Sequence, residues 1–362
     1  MAIVGGNPRG ELTNPTCGCF RSRLANQAGQ RAPHKGGTPL TPHVLYIGAY
    51  SVETCIGFAM QRATRTRLRT WHICAALAGT TMLLVQDVHH DVHAGPQSAL
   101  HAALNGNFDS GGNYLPGSTG FNLADVTSVK QLNSLPDGVK GLVWVGQCNG
   151  VDTTFLRTVR PYIGNSKLFA FYLMDDPDPT GWHRTLCTAK NLAAESDWIH
   201  ANVPGAKTFI LLMVMTPSKT PSFTGTYNPA NSHVDLFGLS PYPCRTELVD
   251  CDYDMIDRYV AAAESSGVPR DRMVPVYQTF GGGNWVDDGG GRYALPIARQ
   301  LQQILAHWEA LLPTAVFDIA YSWGSQNGHV GLESSPDLQA EFLRHNSATE
   351  AHKPHPTSPV GR

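Results

Sequence analysis

The feature that most constrains this chain is a series of short, continuous apolar runs separated by helix-like segments. Strands that are apolar throughout are buried on both faces, as in parallel sheets covered by helices. The helix-like segments span 185–203, 252–267 and 293–311, and in the last of them Ile297, Leu301, Ile304, Leu305 and Trp308 recur at helical spacing. The apolar runs are GFNLADV (120–126), GLVWVGQ (141–147), LFAFYLMDD (168–176), TFILLMV (208–214), VDLFGLSPYP (234–243), MVPVYQTF (273–280) and VFDIAYSWG (316–324).

The number and spacing of these runs favour a closed barrel over an open sheet. Seven runs within roughly 230 residues suit an α/β fold of the (β/α)₈ TIM-barrel type in a single domain. The first strand is only weakly marked, and we expect it before residue 119, around 98–112. No glycine-rich phosphate loop of the type G-x-G-x-x-G or G-x-x-x-x-G-K-[ST] follows a run, which argues against the nucleotide-binding folds.

The first 94 residues have a different character. Residues 1–59 show no sustained helical or strand period, and we interpret them as a non-native upstream extension. From Met60 a basic segment (QRATRTRLRT), an apolar segment (WHICAALAGTTMLLV) and a small-residue ending follow in order, which is typical of a secretory signal peptide. We predict a signal peptide over 60–94, cleaved after Ala94, and a secreted product with no stable membrane insertion. The alternatives are a cytoplasmic protein with an extended N-terminus and an inverted membrane anchor.

The remainder is expected to form one barrel domain over 95–345, followed by a disordered tail over 346–362. The formal net charge of −2 provides no basic surface for nucleic acid. We expect a monomer without a cofactor or a metal. His89, His90 and His93 resemble a metal-binding tract, but they precede the predicted cleavage site.

Four of the eight cysteines fall in the part of the chain predicted to form the mature protein. Cys244 and Cys251 bracket a short segment and can close a local loop, which leaves Cys148 to pair with Cys187. Two disulfides fit an oxidising compartment. A metal site is the alternative, although no C-x₂-C pair occurs among the four.

Polar and aromatic side chains stand at the carboxyl ends of the predicted strands, where barrels of this type form their active sites. Carboxylates, amides and aromatic rings that converge on one mouth are typical of a sugar-binding site, and paired carboxylates cleave glycosidic bonds. In chain order these residues are Asp125, Gln147, Asp175, Asp176, Tyr242, Gln278 and Trp323.

These strand ends resemble those of the large superfamily of (β/α)₈ glycoside hydrolases that retain configuration. In that superfamily one strand ends in Asn-Glu-Pro, and MDDP resembles it, with Asp175 at the sugar-binding Asn and Asp176 at the acid/base Glu. LFGLSPYP is similar to a later strand of the family, and this similarity implies that Tyr242 lines the site. YSWG resembles the last strand of the family, which often ends in a Trp, and this implies the same for Trp323. The resemblance covers about residues 119–330.

The chain departs from the family where the nucleophilic Glu is expected. YQTFGGG has Thr279 at that position, with Gln278 beside it. Asp287 and Asp288, in the loop GGGNWVDDGGG, could replace the missing carboxylate, and the same loop offers Trp285 to a sugar. Asp125 is a further candidate base, which would give an inverting enzyme.

Each acidic candidate also has a structural interpretation. Asp176 could belong to an Asp-Pro turn or bind calcium, and Asp125 could cap the helix that follows it. Asp235 and Asp318 lie toward the starts of their strands, and we interpret both as structural.

Three functions follow from these residues. The first is a secreted glycosidase that acts on an extracellular polysaccharide or oligosaccharide. The second is an inactive barrel that binds glycans, and the third is another barrel hydrolase or a metal-dependent enzyme. A serine hydrolase is disfavoured, because no G-x-S-x-G motif occurs.

Overall fold

The predicted parallel sheet closes on itself. The structure, a computed structural model, describes residues 100–286 and 291–351. Each strand pairs in parallel with the next, and the last pairs with the first, so the predicted (β/α)₈ barrel is confirmed. The strands are β1 (His101–Leu104), β2 (Leu123–Val126), β3 (Lys140–Trp144), β4 (Leu168–Asp175), β5 (Lys207–Leu211), β6 (Leu236–Leu239), β7 (Met273–Gln278) and β8 (Asp318–Tyr321).

Helices follow β2 to β8 and form the outer layer. They are α1 (Val129–Ser134), α2 (Thr153–Val159), α3 (Ala189–Asn202), α4 (Pro229–Ser232), α5 (Asp254–Ser265), α6 (Ala298–Leu311) and α7 (Pro336–Ala351). Side-chain caps fix several helix starts: Ser128, Asp152 and Thr188 each accept a backbone N–H from the first turn. Within the described ranges, no helix is long and apolar enough to cross a bilayer.

The first strand is as short as its weak sequence signal suggested. β1 is only four residues long, HAAL, and two of its buried side chains are alanines. Its position at 101–104 agrees with the expected range, and the loop that follows carries only a 3₁₀ turn at Pro116–Thr119 before β2. A run this short and this poor in bulky residues carries little hydrophobic pattern.

Two cores lie on the two sides of the sheet. The barrel interior contains Leu123, Leu142, Phe209, Val276 and Ile319, while a second cluster fills the space between the barrel and its helices. Both faces of each strand are therefore apolar, which explains the absence of alternation in the sequence. A glycine is required at position 238 in the barrel interior, because a Cβ there would lie 2.6 Å from Leu211 Cδ1.

The floor of the barrel, at the amino ends of the strands, is tied to the last helix by a buried ionic network. Asp318, at the start of β8, accepts hydrogen bonds from His101 Nδ1 (2.9 Å) and His345 Nε2 (3.4 Å). Burial disfavours the charged form of His345, but Asp318 and Glu309 outweigh burial and raise the pKa of His345 to about 9. Asp318 therefore stabilises the fold at the end opposite the strand carboxyl termini.

The C-terminal boundary differs from the expectation. Helix α7 continues to Ala351, so residues 346–351 are helical, whereas the sequence predicts a disordered tail from residue 346. Asn346 is buried and donates a hydrogen bond to the Thr119 carbonyl (3.0 Å), which anchors this part of the helix to the loop before β2. The predicted extension and signal peptide, and the rest of the tail, lie outside the described residues.

Candidate active site

A cavity of about 340 Å³ opens at the carboxyl ends of the strands. Two of its described lining residues are acids, Asp125 and Asp175. Five are aromatic, and the amides of Asn105, Asn107 and Gln131 add hydrogen-bonding groups. The aromatic residues are Phe108, Trp144, Tyr172, Tyr242 and Tyr321.

A bulge in β4 determines which aspartate enters this cavity. Tyr172 pairs with Phe209 of β5, but the next pairs are Met174 with Ile210 and Asp175 with Leu211, so Leu173 is an extra residue. Side chains of paired residues share a face of the sheet, and Leu211 belongs to the barrel interior. The bulge therefore turns Asp175, and not Asp176, toward the mouth.

Asp175 is held by two neighbouring side chains. The Tyr172 hydroxyl donates to Asp175 Oδ1 (2.8 Å), which stabilises negative charge on the carboxylate. Arg184 Nη1 donates to the Asp175 backbone carbonyl (3.0 Å) and fixes the end of the strand. The position of Asp175 is thus set by its strand, a phenol and a guanidinium.

Asp125 reaches the cavity from β2. Its register partner is Leu142, a residue of the barrel interior, and Asn105 N–H donates to Asp125 Oδ2 (3.3 Å). Burial, together with the charge of Asp175, raises the pKa of Asp125 to about 6 despite this hydrogen bond. The structure does not support the capping interpretation of Asp125, because Ser128 caps α1.

Asp176, the acid expected from the MDDP motif, is not among the cavity-lining residues. Its backbone adopts a left-handed conformation (φ 45°), and its carboxylate accepts a hydrogen bond from Arg184 Nη2 (3.4 Å). Burial and the charge of Asp175 raise the pKa of Asp176 to about 7, although Arg184 opposes the shift. Asp176 is therefore a perturbed carboxyl beside the cavity rather than in it.

The third acid of this segment, Asp178, organises the loop after β4. Its two carboxylate oxygens accept hydrogen bonds from the backbone N–H groups of Thr180, Gly181, His183 and Arg184, and from the Thr180 hydroxyl. Burial opposes ionisation, but these hydrogen bonds prevail and lower the pKa of Asp178 well below its usual range. Asp178 is fully buried and serves the loop.

The two predicted disulfides are present and lie in loops at the cavity end of the barrel. Cys148–Cys187 joins the loops after β3 and β4, with the Cα atoms 5.4 Å apart. Cys244–Cys251 closes the loop between β6 and α5. The Tyr227 hydroxyl also donates to the Cys187 carbonyl (2.6 Å), which adds a second connection to the loop after β4.

Glu195 is a further buried acid that supports the loop after β3, and the sequence patterns did not identify it. It is buried in α3, and its Oε1 accepts the Gly150 N–H (2.9 Å) in the loop after β3. Burial raises the pKa of Glu195 to about 8, against the hydrogen bonds from the Gly150 and Asn149 N–H groups. Its spacing from Leu192 and Ile199, at three and four residues, was the available sign that it faces the core.

Several predicted sugar-binding residues do not line the cavity. The Gln278 side chain is fully buried, and its amide bonds to the backbone of Cys244 and Ala294, so it stabilises two loops instead. Gln147 Nε2 donates to the Thr158 hydroxyl (3.4 Å), and the Trp323 ring packs edge-on against Phe121. Gln278 and Trp323 are buried and Gln147 is half-buried, and none of the three is among the described residues that line this cavity.

The position at which the glycoside hydrolases of the resemblance carry their nucleophilic Glu is buried in this structure. Thr279 is fully buried, and its hydroxyl donates to the Ser322 carbonyl (3.1 Å). Trp285 packs against His329, with ring centroids 4.1 Å apart, and is not among the cavity-lining residues. Asp287 and Asp288 lie outside the described residues.

Among the aromatic and amide residues predicted to bind sugar, Tyr242 is the one that the described lining includes, and it has aromatic neighbours that were not predicted. Its ring stacks on Tyr321 with centroids 6.1 Å apart. Trp144 and Tyr172 meet edge to face at 4.8 Å on the opposite part of the wall. Trp144 and Tyr321 end their strands two residues after interior residues, and this spacing was the signal that could have identified them.

One group among the described residues has the geometry to hold a metal ion. His101, Asp318 and His345 offer ligand atoms within 4.8 Å of one another. They lie at the floor of the barrel, where they already hydrogen-bond to one another. This group therefore lies at the opposite end of the strands from the cavity.

No protein-family model and no curated protein sequence matches this chain. Solved structures with a similar fold include a chitinase from Bacteroides thetaiotaomicron, at 11% identity and a TM-score of 0.45, which covers 72% of this chain and 100% of the other. A fungal endo-beta-N-acetylglucosaminidase from glycosyl hydrolase family 18 is 14% identical, with a TM-score of 0.41 and coverage of 68% and 97%.

A chitinase-like agglutinin from Robinia pseudoacacia is 11% identical, with a TM-score of 0.42 and coverage of 68% and 98%. At such identities and scores these similarities assign neither substrate nor activity. The fold assignment depends on the closed eight-stranded barrel itself.

The loop role of Asp178 can be tested by stability. Asp178→Asn replaces one acceptor oxygen with an NH₂ group that faces backbone N–H donors, so it should lower the free energy of unfolding by about 3 kcal/mol. Urea denaturation measures this, with Asp137→Asn, at an exposed position before β3, as the matched control. Equal stability of the two variants would refute the role.

Proposed function

We propose that this chain is a secreted glycoside hydrolase that cleaves glycosidic bonds of an extracellular polysaccharide by carboxylate acid/base catalysis. The observation that carries the proposal is the presence of Asp125 and Asp175 in one aromatic-walled cavity at the carboxyl end of the barrel. Most glycoside hydrolases place two carboxyl groups at the scissile bond, one protonated and one ionised.

Asp125 is assigned as the general acid. With its pKa raised to about 6, it retains a proton in a useful fraction of molecules near neutral pH. It can deliver that proton to the glycosidic oxygen as the bond to the leaving sugar breaks. Burial, together with the negative charge of Asp175, favours the protonated form of Asp125.

Asp175 is assigned as the second carboxylate. The Tyr172 hydroxyl stabilises its negative charge and fixes its orientation. A carboxylate held in this way stabilises the positive charge that develops on the sugar ring and can act as nucleophile or base. This assignment replaces the one drawn from MDDP, in which Asp176 was the acid and Asp175 the sugar-binding residue.

The aromatic wall is suited to hold sugar rings. Trp144, Tyr242 and Tyr321 offer flat apolar faces that can cover the C–H faces of a pyranose, while Asn105 and Gln131 can bond its hydroxyls.

An inactive glycan-binding barrel is the second candidate, and the observation that favours it is the buried Thr279 at the family nucleophile position.

Release of new reducing ends from a panel of polysaccharides tests the proposal. Asp125→Asn and Asp175→Asn should each lower the rate about 100-fold or more, because each removes a carboxyl from the reaction. Asp176→Asn should stay within about threefold of the parent chain.

A loss confined to Asp176→Asn would instead support the assignment from the sequence motif. Glycan binding without new reducing ends would support the inactive barrel.

Export is the second part of the proposal. The two disulfides within the barrel fit an oxidising compartment. N-terminal sequencing of protein recovered from the medium should find Gly95 as the first residue. An N-terminus well before Gly95, or retention of all the protein in the cytoplasm, would contradict it.

A further inference from the structure

One large aromatic side chain is exposed to water at the cavity end of the barrel. Trp182 lies in the loop after β4, at the carboxyl ends of the strands, and 87% of its surface is accessible. Trp308 and Trp323, in contrast, are buried. Single apolar residues are often exposed on protein surfaces, and what distinguishes Trp182 is the loop that carries it.

The backbone on both sides of Trp182 is held by one buried carboxylate. The N–H groups of Gly181, one residue before it, and His183, one residue after it, donate to Asp178 (3.0 and 2.7 Å). The Trp182 N–H donates to the Thr180 hydroxyl oxygen (3.2 Å). All three N–H groups therefore have partners within the loop, which fixes the backbone at Trp182 while the indole stays in water.

The two ends of this loop are also joined. The Cys187 N–H donates to the Asp178 carbonyl (2.8 Å), and the disulfide of Cys187 ties the same point to the loop after β3. A Cβ at Gly181 would lie 3.1 Å from Leu186 Cβ, so the two arms of the loop are in close contact. A compact loop with fixed ends is packed by its own residues. A ligand that binds to Trp182 therefore has little loop entropy to remove.

The same loop reaches the end of β4 beside the cavity. Arg184, two residues after Trp182, donates through Nη1 to the Asp175 carbonyl (3.0 Å). Asp175 lines the cavity together with the aromatic wall. The exposed indole and the cavity acid therefore belong to one part of the rim, linked by Arg184.

We propose that Trp182 binds the polysaccharide chain outside the cavity. The flat face of its indole covers the C–H face of one pyranose unit, while another stretch of the same chain occupies the cavity. This inference rests on the proposed function, because it takes the cavity as the site of cleavage and adds a second point of contact. Long chains are then better ligands than short ones, since two contacts with one polymer reinforce each other.

Electrophoresis in native gels cast with soluble polysaccharides tests the inference. The probes are glycol chitin, hydroxyethyl cellulose, laminarin and xylan, and binding slows the migration of the protein. At least one of them should retard the parent chain, and Trp182→Ala should weaken the apparent affinity for that polymer about tenfold. Trp182→Phe keeps a flat ring and should retain most of the affinity.

Val249 provides the matched control. It is fully exposed in the disulfide-closed loop between β6 and α5, at the same end of the barrel. Val249→Ala removes an exposed apolar side chain without removing an aromatic face, so the retardation should be unchanged. Circular dichroism of each variant confirms that the fold is retained.

Chemical oxidation shows whether the polymer covers the indole itself. N-bromosuccinimide should oxidise Trp182 before the buried Trp308 and Trp323, as peptide mass spectrometry detects. The polysaccharide that retards the parent chain should protect Trp182 from this reaction. Oxidation of Trp182 at the same rate with and without that polymer would contradict the contact.

The outcomes separate this inference from the proposed function. Equal retardation of Trp182→Ala and the parent, or no retardation of the parent in any of the gels, overturns the inference. Release of reducing ends that depends on Asp175 would then leave the glycosidase proposal standing. Retardation that depends on Trp182 without release of reducing ends supports the inference and contradicts hydrolysis.

Discussion

The arrangement of the cavity depends on the register between β4 and β5. In a regular strand that continues from Tyr172, the residues facing the interior would be Met174 and Asp176. The extra residue Leu173 inverts this alternation, so that Asp175 pairs with Leu211 and faces the mouth. The extra residue therefore determines that Asp175, rather than Asp176, lines the cavity together with Asp125. The loop that Asp178 stabilises begins at the end of the same strand.

The three aspartates of MDDPDP consequently have three different environments. Asp175 enters the cavity, Asp176 pairs with Arg184 beside it, and Asp178 accepts five hydrogen bonds within the loop. The Cys148–Cys187 disulfide holds the far end of this loop against the loop after β3. The Asp- and Pro-rich exit of β4 is therefore both a turn, through Asp178, and a source of one cavity acid.

The sequence supported the barrel and both disulfides because they depend on patterns that survive small errors in register. A continuous apolar run remains a buried strand wherever it begins, and four cysteines allow few pairings. The direction of a side chain, in contrast, reverses when the register shifts by one residue. Asp175 and Asp176 are adjacent, and nothing in LFAFYLMDD marks Leu173 as the extra residue.

The surroundings of the amide side chains were not predictable for a related reason. Gln278 ends its strand, but the backbone groups of Cys244 and Ala294 that engage its side chain come from loops distant in sequence. The position of Tyr242, directly after a buried run, was predictable, as was the location of the site at the strand ends.

The central claim is that Asp125 and Asp175 face each other across one cavity and that Asp176 does not take part. The most direct measurement is a carboxyl ¹³C NMR titration of Asp125 in the parent chain, Asp175→Asn and Asp176→Asn. The pKa of Asp125 should be about 6 in the parent and in Asp176→Asn, and lower in Asp175→Asn, where the repelling charge is gone. An ordinary pKa near 4 in the parent, or a decrease only in Asp176→Asn, would contradict the arrangement.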